Sequence, residues 1–285
     1  MRFVAGLLKR LTRTLTVVVL VAAGSTVLMR FAPGYLSDAR EMDSRYAGAA
    51  RVELSAEAER SNSLRHMLFT EIGGWTRGNL GLSRQYDVPV LELIAPRLAV
   101  TGSLLLRAIV LAWTLALCAA LFSSAGQNPS LLWQAPATLL LAVPTAAMAT
   151  VSLLAGSGGP VLVMTLLIAA RDFKFLDRML LNAWRDPHLL QARAQGVTTL
   201  RLVQAHILPS LAPQLLALGT LSVVTALSAL VPVEVIFNVP GLGHLAWNAA
   251  MNRDLPVLLA VTTIMAIAVT FAGMASDRPG EWQGA

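Results

Sequence analysis

The chain has 285 residues, 55% hydrophobic and 13% charged, with a formal net charge of +6. Its mean hydropathy of +0.63 is too high for a soluble domain and fits a polytopic membrane protein. The basic excess follows a positive-inside distribution, which argues against nucleic acid, and the single cysteine, Cys118, excludes a disulfide framework or a cysteine metal cluster.

In chain order, MRFVAGLLKRLTR at 1–13 carries four positive residues and no acidic one, and an apolar run follows at 15–29. A basic start and a short apolar core also describe a signal peptide. No small-x-small cleavage site follows, and Arg30, Phe31 and Pro33 come next. The reading is an uncleaved first span with a cytoplasmic N-terminus. Residues 34–97 are the longest polar part, eight arginines against nine acidic residues. Segments this long cross a membrane despite their charge, so they are placed outside. Within them 53–69 reads as an amphipathic helix and GGWTRGNLG as a turn-rich loop.

The second span is expected at 99–122. Arg107 lies inside it, and a lipid-facing charge at mid-membrane costs at least ~2.5 kcal/mol. Arg107 is therefore expected to face the bundle or to snorkel to an interface. GQNPS at 126–130 connects to a third span, 131–154, broken by Pro136 and Pro144. GSGGP at 156–160 is a very short connector. The apolar run 161–170 is too short to span, so the fourth span starts near Gly159 and runs through RDFKFLDRML towards Ala183. Residues 171–206 hold six basic residues against three acidic ones and mark the cytoplasmic side. The fifth span is expected at 214–233, an outer turn at 238–244 (NVPGLGH) and the sixth span at 255–274. The fold class is thus an all-α membrane protein with six transmembrane helices and both ends inside.

The most informative stretch lies between hydrophobic blocks, at 185–213. Asp186 before Pro187 is a helix start: a side-chain acceptor at the cap, then a residue whose missing N–H costs nothing there. Gly196 is a helix stop, because glycine takes the left-handed conformation without a Cβ penalty. Between them lies a short helix with Ala192, Arg193 and Ala194, whose small alanines suit a groove on another protein. A second helical run, 200–208, leads into the fifth span. The signals of catalysis are missing. The lysines, Lys9 and Lys174, follow Leu8 and Phe173 and cannot make a phosphate-binding glycine–lysine loop. The four histidines, His66, His188, His206 and His244, form no HExxH motif, and GSG at 156–158 lacks the nucleophile-elbow spacing.

ARAQG at 192–196 followed by HILP at 206–209 resembles the cytoplasmic coupling loop of binding-protein-dependent ATP-binding cassette (ABC) importer permeases, in particular the dipeptide/oligopeptide/nickel branch. Two further stretches agree with that branch. They are GNLGLSRQYDVPVLELIAPRLAVT at 78–101, and VEVIFNVPGLGHL at 233–245 with RDLPV at 253–257. The chain departs from the pattern at Gln195 for lysine, at His188 for tyrosine, in the short 156–160 connector and in its C-terminal ending. The resemblance implies the type I permease class in a bacterial inner membrane, multi-pass. It implies four partners besides membrane lipid: a second permease subunit, two cytoplasmic ATPase subunits and an extracytoplasmic substrate-binding protein. ATP would be bound by those partners, with no cofactor in this chain.

It also implies roles. Asp186 and Pro187 start the coupling helix, Ala192 and Ala194 with Arg193 form its contact face, Gly196 bends it, and His206 and Pro209 close the motif. Glu234, Phe237, Pro240, Gly241 and Gly243 match the outer motif and shape the connection between the fifth and sixth spans. The expected division is 1–97 for the first helix and outer segment, 98–276 for the permease core with the coupling loop 185–209, and 277–285 for a tail. Two other classes stay open: a secondary transporter, with Arg107 and Glu234 as coupling groups, and a non-transporting scaffold derived from a permease. The charge distribution predicts a labelling pattern: a membrane-impermeant thiol reagent added outside modifies a cysteine probe at Ser61 and leaves one at Gln204 untouched. The reverse pattern contradicts the topology.

Overall fold

The computed structural model describes residues 12, 16, 19, 20, 23, 24, 80–125, 131–187, 191 and 197–276. Among them the architecture is helical, apart from one isolated antiparallel pairing between Leu82 and Pro89. Residues 12, 16, 19, 20, 23 and 24 are helical. The long elements follow: α1 (Val90–Ala125), α2 (Leu131–Ala142), α3 (Thr145–Leu154), α4 (Pro160–Trp184), the four-residue α5 (Thr199–Leu202), α6 (Leu208–Ile236), α7 (Leu242–Met251) and α8 (Leu255–Ser276). About twenty apolar helical residues cross a bilayer. Among the described residues three stretches meet that length and composition: Val90–Ser124, Val203–Ile236 and Leu255–Gly273.

A fourth candidate is a bent pair within the expected third span, and it refines that reading: the break lies at Pro144 and not at Pro136. Gln134–Ala142 and Thr145–Leu154 diverge by 96°. Pro136 is carried inside α2, whereas Pro144 ends it. A proline disfavours the α conformation in the residue before it, and Pro144 itself is extended, at ψ 139°. α4 begins at Pro160, which suits a first helical position because its N–H would have no partner there. Its five charges between 171 and 178 distinguish it from the three apolar spans. A correction concerns the expected outer turn. From Leu242 onwards this segment is a ten-residue helix, α7, started by extended Gly241.

A third difference lies in the run 200–208. α5 passes into a π-helical turn, Val203–Ile207, and then into α6. Leu208 N–H donates to Val203 O, five residues back. Pro209 supplies the reason: its ring crowds the carbonyl four residues earlier and it donates no hydrogen bond. A widened turn just before it relieves that crowding, as insertions of this kind commonly do inside helices.

The chain divides into two compact units. One comprises Met1–Val100 and Pro240–Thr270, the other Thr101–Val239 and Phe271–Ala285. In the described part of the first, Val90, Ile94, Leu242, Leu245, Ala249, Val257 and Val261 form one buried apolar cluster. In the second, α4 packs against α2, α3 and α6. Its buried stripe runs Met164, Ile168, Asp172, Leu176, Leu180, a strict four-residue spacing that keeps one helix face turned inward.

Asp172 therefore sits in the middle of an apolar stripe and must find partners there. One carboxylate oxygen accepts from the Ser222 hydroxyl at 2.7 Å, and that hydroxyl oxygen accepts from Trp113 Nε1 at 3.1 Å. The neighbouring Arg171 donates to the Leu221 carbonyl at 3.3 Å. One turn on, Asp177 accepts from Gln134 Nε2 at 2.5 Å, and Lys174 Nζ donates to Thr138 Oγ1 at 2.8 Å. The second oxygen of each aspartate is buried without a hydrogen bond. Removing the remaining donor to Asp172 strands the whole carboxyl group, at about 1–3 kcal/mol. Ser222→Ala should thus lower the thermal unfolding midpoint of the purified subunit in detergent. The double variant Ser222→Ala, Asp172→Leu, which leaves no carboxyl group to strand, should recover part of the loss, the Trp113 indole N–H still lacking its acceptor. An equal or greater loss in the double variant would show that the pair is not the locking contact.

Candidate functional site

The residues expected to act at the cytoplasmic face leave from the end of α4. Arg185 closes that helix, its N–H on Asn182 O at 3.1 Å, and Asp186 N–H follows on Ala183 O at 3.0 Å. Asp186 is non-helical and exposed, and Pro187 is helical and exposed. Ala192, Arg193, Ala194 and Gly196 lie outside the described residues. The chain returns with Leu202 N–H on Thr198 O at 2.9 Å. His206 is exposed on the π turn and Pro209 is exposed on the first turn of α6, while Leu202, Val203 and Ile207 are buried. The π turn thus holds an apolar face inward and presents His206 to the surroundings.

The outer motif divides between the two units. Glu234 and Phe237 belong to the second, Pro240, Gly241 and Gly243 to the first. Glu234 is fully buried and accepts from the Thr101 hydroxyl of α1 at 2.7 Å. Its main-chain carbonyl accepts from Val239 N–H at 2.8 Å, while Asn238 N–H donates to Val235 O at 3.2 Å. This pair of bonds is a Schellman motif closing α6. Its left-handed residue is Asn238, at φ 51°; asparagine tolerates that region better than other side-chain-bearing residues. Gly241 then starts α7, its carbonyl accepting from Leu245 N–H at 3.0 Å, and Gly241 and Gly243 are buried.

α7 ends the same way. Asp254 N–H donates to Ala249 O at 2.8 Å and Arg253 N–H to Ala250 O at 3.4 Å, with Arg253 at φ 56°. The motif delivers Asp254, nearly fully buried, onto the 83–86 turn. Its carboxylate accepts from the Ser83 hydroxyl, from Arg84 N–H at 3.1 Å and from Gln85 N–H at 3.2 Å. Ser83 Oγ in turn accepts from Tyr86 N–H at 3.1 Å. The turn is closed by Ser83 N–H on Val88 O at 2.9 Å and by Val90 N–H on Gly81 O at 3.1 Å. Two stretches singled out separately in the sequence, 78–101 and 253–257, are therefore joined by one carboxylate. Asp254, Ser83 and Thr101 were not among the expected site residues. Asp254 falls in the RDLPV stretch on which the resemblance rests, but nothing local gives its partner, which is 171 positions away.

Among the described residues no group of three or more His, Cys, Asp and Glu is placed to hold a metal ion. The carboxylates Asp172, Asp177, Glu234 and Asp254 are each engaged with hydrogen-bond donors and tie segments together. The Asp254 junction carries a test. Asp254→Ala removes the acceptor of two amides, so hydrogen exchange at Arg84 and Gln85 should speed up at least about tenfold. Asp254→Asn, which keeps one acceptor oxygen, should lie between. Unchanged exchange in the alanine variant would mean that the turn holds itself.

Residues 108–279 match the family described as binding-protein-dependent transport system inner membrane component. Over 280 residues the chain is 25% identical to the oligopeptide transport system permease protein OppB of Haemophilus influenzae, covering 90% of each chain. Over 220 residues it is 27% identical to the dipeptide transport system permease protein DppB of Lactococcus lactis subsp. cremoris, covering 70% of this chain and 72% of that one. A shorter stretch of 108 residues is 31% identical to the metal-staphylopine import system permease protein CntB of Staphylococcus aureus and spans 38% of this chain and 34% of that one. The family match takes in well over half of the chain, from within α1 to beyond the end of α8, and the apolar helices have the length such a match requires. The chain belongs to the inner membrane components of binding-protein-dependent transport systems.

Proposed function

We propose that this subunit forms half of the membrane path of an ATP-driven peptide importer. The carrying observation is the family match over 108–279, with peptide permeases among the relatives that align over most of their length. The working assembly is this chain, a second permease, two cytoplasmic ATPase subunits and an extracytoplasmic binding protein. Six spans are proposed: the apolar run 15–29, α1, the bent pair α2–α3, α4, the continuous helix through α6, and α8. Residues 98–276 form the core and 277–285 the tail. Substrate is delivered from outside, and ATP is bound and split on the partners, because neither lysine of this chain follows a glycine.

Coupling runs through 186–209. Asp186 and Pro187 are exposed where the chain leaves α4, and His206 and Pro209 are exposed where it re-enters. A short helix between those points, with small Ala192 and Ala194 on its face and a bend at Gly196, seats in a groove of the ATPase. Closure of the ATPase pair then moves α4 and α6 together, switching the path between outward- and inward-open states as a rigid-body rearrangement.

Reconstituted vesicles holding the assembly should take up labelled peptide only with ATP and binding protein, and the isolated chain should not hydrolyse ATP. Gly196→Leu should assemble with the ATPases, keep substrate-stimulated hydrolysis in part and lose most uptake. A left-handed leucine costs roughly 1–2 kcal/mol, and its side chain obstructs the contact. A variant that transports like the wild type would refute 186–209 as the coupling element. The staphylococcal relative supports a second solute, a metal chelate, and the same vesicles distinguish it by competition with peptide.

A further inference from the structure

The sequence expectation for Arg107 is that it faces the bundle or snorkels to an interface. It lies at the middle of the 36-residue helix α1 and is exposed. Its Nε donates to Ser103 O at 3.0 Å and its Nη2 to Ser103 Oγ at 3.2 Å. Both bonds return to its own helix one turn back, so the guanidinium lies along the helix rather than reaching for a membrane surface. From the outer end of the expected span at 99 it is about 12 Å along the axis, farther than an arginine side chain extends. The acidic groups buried in the same unit are engaged elsewhere: Asp172 with Ser222, Asp177 with Gln134 and Glu234 with Thr101.

The polar residues around Arg107 form a pattern. Between 101 and 122, the exposed polar side chains of α1 are Ser103, Arg107, Thr114 and Cys118. At 3.6 residues per turn these four fall within about 60° of one another. Thr101, also polar, points the other way and is buried on Glu234. Leu106, Val110, Leu111, Leu115 and Phe122, exposed on the same helix, flank the stripe. A lipid-facing helix would have no reason to gather its polar residues on one line, least of all around a charge at mid-depth.

We propose that this stripe lines the aqueous path and that Arg107 receives a carboxylate of the solute passing along it. The inference rests on the peptide-importer reading and adds the recognition group. A guanidinium is a planar fork of five donors, two of which are spent on Ser103. The remaining edge matches the two oxygens of a carboxylate, which every peptide with a free C-terminus carries. The hydroxyls and the thiol of the stripe keep the rest of the line wettable.

Cys118 is the one cysteine of the chain and a native reporter. In vesicles holding the assembled importer, a membrane-impermeant thiol reagent should modify Cys118, read by mass spectrometry of this subunit, and transported peptide should slow the reaction. Modification only by a lipid-soluble maleimide would place the stripe in lipid, and no modification by either reagent would place it against the second permease; both results overturn the proposal. Arg107→Gln should reduce uptake of a peptide with a free carboxylate about tenfold and leave uptake of its C-terminally amidated form unchanged. Arg107→Lys should restore part of the loss, with co-purification of the ATPases unaltered in both. Equal loss for acid and amide overturns the recognition role. If the wild-type importer carries a different anionic solute, the peptide reading falls, while Arg107→Gln must still lower uptake of that solute and Cys118 must still react.

Discussion

The structure turns on what happens to polar groups that cannot reach water. In apolar surroundings an unpaired carboxyl or amide is costly, so each one dictates where another element must lie. Ser222 shows this most directly. Its single hydroxyl meets Asp172 of α4 and Trp113 of α1 from its place on α6, so three helices share one oxygen atom. Apolar stripes fix which face of α4 turns inward, but leucine and isoleucine allow sliding and rotation at little cost. The hydrogen bond does not, and it therefore sets the register of α4 against α6. Gln134 to Asp177 and Lys174 to Thr138 do the same between α4 and α2, and Thr220 Oγ1, on the Ala272 carbonyl at 2.8 Å, does so between α6 and the end of α8.

The helix ends obey the same constraint by other means. α6 and α7 both stop in Schellman motifs whose left-handed positions hold Asn238 and Arg253 rather than glycine. A non-glycine residue there stores some backbone strain. Each motif satisfies the terminal carbonyls and, at Arg253, also aims the next side chain. Asp254 stands immediately before α8, where an aspartate ordinarily caps its own helix. Here its carboxylate is given to the 83–86 turn instead. The local preference for a cap yields to a long-range contact, and a polar loop is pinned against the apolar cluster of α1, α7 and α8.

Much of this was legible in the sequence wherever the signal was apolar length. The spans at 99–122, 214–233 and 255–274 fall inside α1, the helix through α6, and α8, and the start of the fourth at Pro160 follows from a run too short to cross alone. The misses have identifiable causes. NVPGLGH carries a proline and two glycines, so it reads as a turn, yet the glycines are the buried N-cap and second residue of α7. Pro136 and Pro144 read alike in the sequence, yet Pro136 stays inside α2 whereas Pro144, itself extended, stands at the 96° bend. The π turn has no composition signature beyond the proline two residues after it. Ser83 with Asp254 and Thr101 with Glu234 join residues more than 130 positions apart, and no local pattern encodes such pairs.

The placement of these locks bears on how a subunit of this family transmits motion. The stretch 186–198 is bounded by the end of α4 on one side and the start of the α5–α6 helix on the other. A push delivered there reaches two helices at once. Were α4 and α6 joined by apolar contacts alone, the push would dissipate as sliding between them. Asp172–Ser222 and Arg171–Leu221 O sit a dozen or more residues into each helix, far enough from the loop to act as a second fixed point. On the proposed coupling route, the loop at one end and the polar lock further in would make α4 and α6 one lever. The π turn at 203–207 lies between these two fixed points and contains the least regular hydrogen bonding of the lever. On that proposed route the widened turn before Pro209 is where the lever would bend, because its hydrogen bonds are the least regular.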